Sequence, residues 1–363
     1  MAPLAYTSLS STAHGSCLLL SCNYLLHLRL PVVQRAAMFL PSRSLRIIPL
    51  FRLQRLEGPA ISLALTRRHM ATVPSSKSLS HEERTAQEPR ADKLHPVTLE
   101  AVKAVNDSVR LLRLKPKGAV EFLPGQWLDV FIPGLDKAGG FTITSTPEDA
   151  RSSSTAPPFL ELAIQYSPKN PPAAWLWRPA KEILGASLAV RVGGSFVWPP
   201  PGVPPSAIAK AVFVAGGVGI NPLISVFSHL STLPSRPSLI HFLYTTKFST
   251  VTTTPNPFEI LFLPRLQNIV SSVDDPRVTL DLFITGSKDT SSTYEADLVG
   301  FPPNTHLRRI QEPDLMDVLG SVPLRRATVC YVCGPPGMTD EIVDFLRRQD
   351  GIVKEQVLCE KWW

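Results

Sequence analysis

A chain of 363 residues that is 44% hydrophobic has material for two domains, each with its own core. Its net charge of +7 does not point to nucleic acid, because the basic excess sits at one end: Arg29, Arg35, Arg43, Arg46, Arg52 and Arg55 all precede the first acidic residue, Glu57. Five cysteines make no disulfide framework, and with no second Cys pair and no suitable His pair they make no zinc pattern, so no metal site is expected.

Residues 1–70 are rich in Leu, Ser and Arg, the composition of a mitochondrial transit peptide, with a chloroplast address as the near alternative. The run "CLLLSCNYLLHLRLPVV" is interrupted by His27 and Arg29 and closed by Pro31, so it falls short of the ~20 apolar residues of a spanning helix. A secretory or membrane segment stays open there, but no stable membrane span is expected. Residues 71–94 are polar and Ser-rich and read as the end of the leader and a linker.

From His95 the pattern changes. "HPVTLEAVKAVNDSVRLLRLKPK" alternates apolar and polar residues about a turn at Asn106-Asp107. "GQWLDVFIPG", "GGFTITSTP", "PFLELAIQYSP" and "SLAVRVGGSFVW" follow as further short strands. Strands at this spacing predict a small antiparallel β-barrel over residues 95–200. The proline-rich stretch "PPPGVPPSAIAK" then suits neither a helix interior nor a central strand, and marks a domain boundary.

Residues 208–363 change class. "AVFVAG", "PSLIHFLYTTK", "VTLDLFITG" and "ATVCYVCG" are continuous apolar runs, as in strands buried on both faces of a parallel sheet. Helical segments are predicted between them in "PLISVFSHLSTL", "FEILFLPRLQNIV", "EPDLMDVLGSV" and "MTDEIVDFLRRQ", which gives a doubly wound α/β domain. Cys330 and Cys333 lie in one such strand. Residues three apart on a strand point to opposite faces, so this C-x-x-C reads as core and not as a redox pair.

The first of these strands ends in "AGGVGINP". Gly216, Gly217 and Gly219, with Val218 between them, leave the backbone approachable at the carboxyl end of the strand, where ligands of open α/β sheets bind. Asn221 is read as the N-cap of the following helix and Pro222 as part of its first turn. Backbone donors at a helix N-terminus make an anion site, most often for phosphate. A tight turn before a helix, with no ligand, is the alternative.

"VFVAGGVGINPLIS", "YVCGPPGM" and "CEKWW", together with the barrel segments "GQWLDVFIPG" and "GGFTITSTP", resemble the ferredoxin–NADP reductase superfamily, in the right order over about residues 95–363. The resemblance implies a flavin-binding barrel beside a nicotinamide-binding domain, with hydride passing between nicotinamide and flavin at their interface. Phe141 would lie on the flavin ring and Thr142 would approach its N5. Cys333 would lie near the nicotinamide, with Gly334 and Pro335 bounding the nucleotide pocket, and Glu360 would assist the nicotinamide or relay a proton. Trp362 would cover the flavin ring, with Trp363 beside it.

Two departures bear on the flavin. The family's phosphate-binding arginine falls on Gly139, and its second phosphate stretch, Gly-x-x-Ser, falls on Asn170-Pro171-Pro172-Ala173. FAD is therefore expected to bind loosely, and an arginine restored at 139 is expected to tighten it, with Lys137, Lys169 and Arg151 as candidate replacements. There is no plant-type iron–sulfur motif and no flavodoxin-like domain. The reading is a mitochondrial, monomeric oxidoreductase passing electrons from NAD(P)H through FAD to a separate acceptor, with a small redox protein as the candidate. Its rival is a nucleotide-sensing or scaffold module that has lost the flavin.

Overall fold

The alternating segments after His95 pair into one antiparallel sheet. Its strands are β1 (His95–Asn106), β2 (Val109–Pro116), β3 (Trp127–Phe131), β4 (Gly139–Thr142), β5 (Leu160–Gln165) and β6 (Ser187–Gly193), in the order β4-β3-β6-β1-β2-β5. A bridge between Ile143 and Leu162 joins the two outer edges and closes a barrel. The computed structural model describes residues 80–153, 156–247, 256–286 and 298–362. The transit-peptide reading of residues 1–70 and Trp363 lie outside the described residues.

Pleat alternation sets what the barrel strands present. Leu128 and Val130 of β3 enter the barrel core with Leu99, Leu112 and Val190. Trp127 and Asp129 therefore point outwards, yet they are only 2% and 0% exposed. The cover is helix α1 (His81–Arg84) and the chain that follows it, with Arg90 bridged to Gly193. Where the sequence reads as linker up to residue 94, the residues from Ser80 onward form part of the barrel's outer wall. A capping box holds α1: the Ser80 hydroxyl accepts from the Glu83 amide, and Glu83 accepts from the Ser80 amide at 2.6 Å. Short helices α2 (Pro171–Leu176) and α3 (Ala180–Ile183) complete this half.

The continuous apolar runs form a six-stranded parallel sheet. Strands β7 (Lys210–Gly216), β8 (Leu239–Lys247), β9 (Val278–Thr285), β10 (Thr305–His306), β11 (Thr328–Cys333) and β12 (Val357–Glu360) lie in the order β10-β9-β8-β7-β11-β12. Helices α4 (Ile220–Thr232) and α5 (Leu263–Val273) pack on the face that includes Phe213 and Phe242. Helices α6 (Glu312–Leu319) and α8 (Pro336–Arg347) pack on the other, with Val212 and Val214, and α7 (Val322–Arg325) leads into β11. Cys330 and Cys333 fall in opposite layers, as strand alternation requires. The segment from Phe258 is not one helix: Phe262 adopts φ +60, and α5 starts only after it, with Pro264 in its first turn.

Polar bonds tie the barrel to the α/β half. Ser225 of α4 donates to the Ser145 carbonyl at 2.8 Å, Arg265 of α5 pairs with Glu161 at 2.7 Å, and the Tyr331 hydroxyl donates to the Val197 carbonyl at 2.8 Å. These contacts fix the carboxyl ends of β7, β11 and β12 relative to β4.

Candidate functional site

Two loops meet at the carboxyl edge of the parallel sheet, and glycine makes the meeting feasible. A Cβ on Gly216 would fall 2.7 Å from Cδ of Pro335, and one on Gly219 would overlap the carbonyl oxygen of Cys333. These two glycines are required by loop-on-loop packing. Gly217 differs: its φ is +53, and a Cβ there would meet nothing within 4 Å. Of the three glycines, only Gly217 faces open space. Val218 is half-buried against the core on the α4 side. The buried Tyr244, which the sequence reading missed, reaches the Gly217 carbonyl with its hydroxyl at 3.4 Å. Its position opposite Ala215 on the neighbouring strand was the available signal.

Asn221 is not the helix cap. A 3₁₀ turn over Gly217–Gly219 runs straight into α4, whose N-cap is Gly219, so Asn221 sits inside the first turn. Its Nδ2 donates to the Ala163 carbonyl of β5 at 3.0 Å, while its buried Oδ1 has no partner. Asn221 thus anchors the glycine turn to the barrel. Pro222 does stand in the first helical turn.

Cys333 and Glu360 face each other as register partners at the ends of β11 and β12. Burial, reinforced by the nearby Glu360 carboxyl, pushes the Cys333 thiol well above its ordinary range. Burial likewise pushes the half-buried Glu360 carboxyl well up, although the Trp362 indole N–H donates to it at 3.1 Å. Cys333, Gly334, Pro335, Glu360 and Trp362 are thereby gathered at one edge. Thr142 is buried at the end of β4, opposite Trp127. Phe141 turns towards the barrel core and is half-buried there.

The outer face of β3 and β4 is covered by a ring. His81 lies against Gly140 so closely that a Cβ on Gly140 would fall inside the imidazole. Trp127 meets it edge to face at 4.7 Å, centroid to centroid, and Trp362 stacks on it at 5.9 Å and 23°. His81 Nε2 donates to Asp129 at 3.1 Å, and Arg191 and Arg90 complete the carboxylate's partners at 2.7 and 3.0 Å. Burial alone would raise the Asp129 carboxyl, but His81, Arg191 and Arg90 together hold it below the ordinary range. Sequence reasoning missed His81, Asp129 and Arg191. A charged Asp129 inside "WLDVF" and the Ser80-x-x-Glu83 capping pattern were the readable signals.

A family-type FAD does not fit the residues so arranged. At Gly139 a Cβ would fall 2.6 Å from both the Phe141 ring and Pro172, so the place of the family's arginine is filled by apolar atoms. Helix α2 offers no free donor at its start: Pro171 and Pro172 have no N–H, Ala173 donates to the Asn170 side chain, and Ala174 donates to the Asn170 carbonyl. Lys137, one candidate replacement cation, faces Glu83 at 3.8 Å. The ring slot beside Gly140 holds His81. An arginine introduced at 139 would have to displace Phe141 and Pro172, which removes the reason to expect tighter flavin.

No family model matches the chain. It is 32% identical over 297 residues to the zebrafish (Danio rerio) oxidoreductase NAD-binding domain-containing protein 1, spanning 80% of this chain and 99% of that one. The human (Homo sapiens) protein of the same name is 31% identical over 323 residues, spanning 85% and 94%. Among solved structures, an Amycolatopsis cytochrome P450 reductase superposes with a TM-score of 0.54 at 19% identity, over 76% of this chain and 71% of that one, a likeness of fold.

Proposed function

The chain belongs to the family of oxidoreductase NAD-binding domain-containing protein 1, and from that membership we propose that it is an NAD(P)H-dependent oxidoreductase that hands electrons to a separate acceptor. The nucleotide's phosphates lie on the Gly217 turn and the N-terminus of α4. Its nicotinamide reaches the edge formed by Cys333, Glu360 and Trp362. The supporting observation is that Gly216 and Gly219 are consumed by loop packing, while Gly217 alone faces open space at the strand's carboxyl end. Burial keeps the Cys333 thiol protonated at neutral pH and favours the neutral form of the Glu360 carboxyl, which lowers the charge this edge presents to the nicotinamide.

FAD as carrier between nicotinamide and acceptor rests on the superfamily resemblance alone, since the packed Gly139 and the occupied donors at the start of α2 leave its phosphates no anchor. The acceptor is proposed to be a separate redox protein, by analogy with relatives of this fold that serve as reductases of cytochrome P450. Mitochondrial import directed by residues 1–70 belongs to the same proposal. Among the described residues no helix is long and apolar enough to cross a membrane.

A second reading is favoured by one observation: the α2 amides are taken by Asn170 and the place of the phosphate-binding arginine is packed. Under it the chain binds a pyridine nucleotide without flavin. Anaerobic mixing of the purified full chain with NADH or NADPH, with and without added FAD and with ferricyanide as acceptor, separates the two. The enzyme reading predicts saturable nucleotide oxidation that rises with FAD. Nucleotide binding without oxidation under any combination supports the second reading.

A further inference from the structure

We propose that the cleft between α4 and α5 binds a small dianion, a molecule whose two carboxylate-type groups are held by the guanidiniums of Arg265 and Arg236. The site is separate from the nucleotide edge and does not rest on the oxidoreductase reading. Ser231, which lines it, stands in the last turn of α4, roughly 15 Å along the helix axis from the glycine turn.

The cleft has a volume of about 390 Å³, within the range of small-molecule pockets. One wall is a stripe of α5 in which Arg265, Asn268 and Ser272 recur at the spacing of a single helix face, over roughly 10 Å. Ile269 packs on the core beside them. Ser231 of α4 and Arg236 of the loop that follows complete the polar lining. Arg265 belongs to the first turn of α5, whereas Arg236 reaches Asp275 just past its last turn, so the two cations mark the two ends of the cleft. The lining carries these two cations, the neutral Ser231, Asn268 and Ser272, and no carboxylate. Two guanidiniums that share one concave surface raise its potential and favour an anion there.

Both cations have capacity left for a ligand. The carboxylates near them lie deeper: the Glu161 and Asp275 side chains are 10% and 15% exposed, against 33% and 26% for Arg265 and Arg236. Arg265 gives one N–H to Glu161 at 2.7 Å and one to the Thr144 carbonyl at 3.2 Å, which fixes its plane and leaves the rest of its fork of donors uncommitted. Asp275 is already held by Arg277, which bonds its two oxygens at 3.0 and 2.9 Å. Arg236 therefore stands off from Asp275 at 3.5 Å, beyond the usual hydrogen-bond distance. The exposed side chains of Asn268 and Ser272 have no partner among the described residues. A planar carboxylate matches a guanidinium fork with two parallel hydrogen bonds, and a fixed Arg265 lowers the ordering cost of making them. Cations at both ends select a ligand with two acidic groups over one with a single group.

The test titrates succinate, glutarate and adipate, with butyrate as the single-acid control, into the full chain by calorimetry in low-salt buffer. The best dicarboxylate is expected to bind one per chain and at least tenfold more tightly than butyrate. Arg236→Gln removes one cation, and Asn268→Asp sets a carboxylate in the lining at nearly constant shape. Each should weaken that dicarboxylate about tenfold while melting within a few degrees of wild type. Saturating NADH should leave the binding unchanged. Three results overturn the site: no dicarboxylate preferred over butyrate, affinity unaltered in both folded variants, or displacement by NADH, which would move the dianion to the glycine turn. Should Arg236→Gln fail to fold, Asn268→Asp decides alone.

Discussion

His81 and Trp362 come from the two ends of the described chain, and their rings stack with planes 23° apart. The contact joins the barrel's outer cover to the edge where Cys333 and Glu360 meet. The Trp362 indole also donates to Glu360, so one side chain touches both His81 and that carboxyl.

The Gly217 turn should serve binding more than folding. Asparagine tolerates the left-handed region, so Gly217→Asn is expected to melt within a few degrees of wild type while NAD(P)H affinity falls about tenfold. A β-branched residue at φ +53 carries strain of order 1–2 kcal/mol, so Gly217→Val should also lower the melting temperature. Calorimetry and nucleotide titration on both variants check this; unaltered affinity in a folded Gly217→Asn makes the turn structural only.

Glu360 gives a pH signature. Its raised pKa means that the folded chain keeps a proton that the unfolded chain releases near pH ~4.3. Stability therefore falls as pH rises from that value towards the folded pKa, and levels off above it. Glu360→Gln still accepts the Trp362 N–H and removes the slope. Urea unfolding across this range should show the variant gaining on wild type as pH rises; parallel curves would mean the carboxyl is not held protonated.

Cys330 and Cys333 should behave as core. Burial raises the Cys330 thiol to about 12 and the Cys333 thiol well above its usual value, which leaves almost no thiolate at neutral pH. Iodoacetamide on the native chain, read by peptide mapping, is expected to label the half-buried Cys359 ahead of both. Rapid labelling of Cys333 without unfolding would reopen a thiol chemistry at that edge.

Gly139 should be intolerant. Even Gly139→Ala must push Phe141 or Pro172 aside, a change of the overpacking kind that typically costs about 1–3 kcal/mol. Thermal melts of Gly139→Ala and Gly139→Arg are both expected below wild type, with FAD retention after dialysis no better. Improved retention in a stable Gly139→Arg would show that the pocket can re-form.

The architecture was legible because period and turn chemistry are local. Continuous runs at Val212 and Val329 marked buried parallel strands, and Pro335 and Gly219 stood where the loops meet. What escaped depended on partners far along the chain. Ser80-x-x-Glu83 spelled a helix start, but its polar surroundings read as linker until Asp129 supplied a buried partner for His81. The sequence revealed the missing arginine at 139, not the Phe141 and Pro172 atoms that fill its place. Asn221 obeys the capping preference in composition and fails it in position, because the 3₁₀ turn starts the helix early.

The central claim is that a pyridine nucleotide lies on the Gly217 turn with its nicotinamide at the Cys333–Glu360 edge. Calorimetric titration of the full chain with NADH and with NADPH, repeated on Gly217→Asn, tests it most directly. The account predicts saturable binding of at least one nucleotide, one per chain, that the variant weakens about tenfold. A cooperatively melting wild-type protein that takes up neither nucleotide would contradict it.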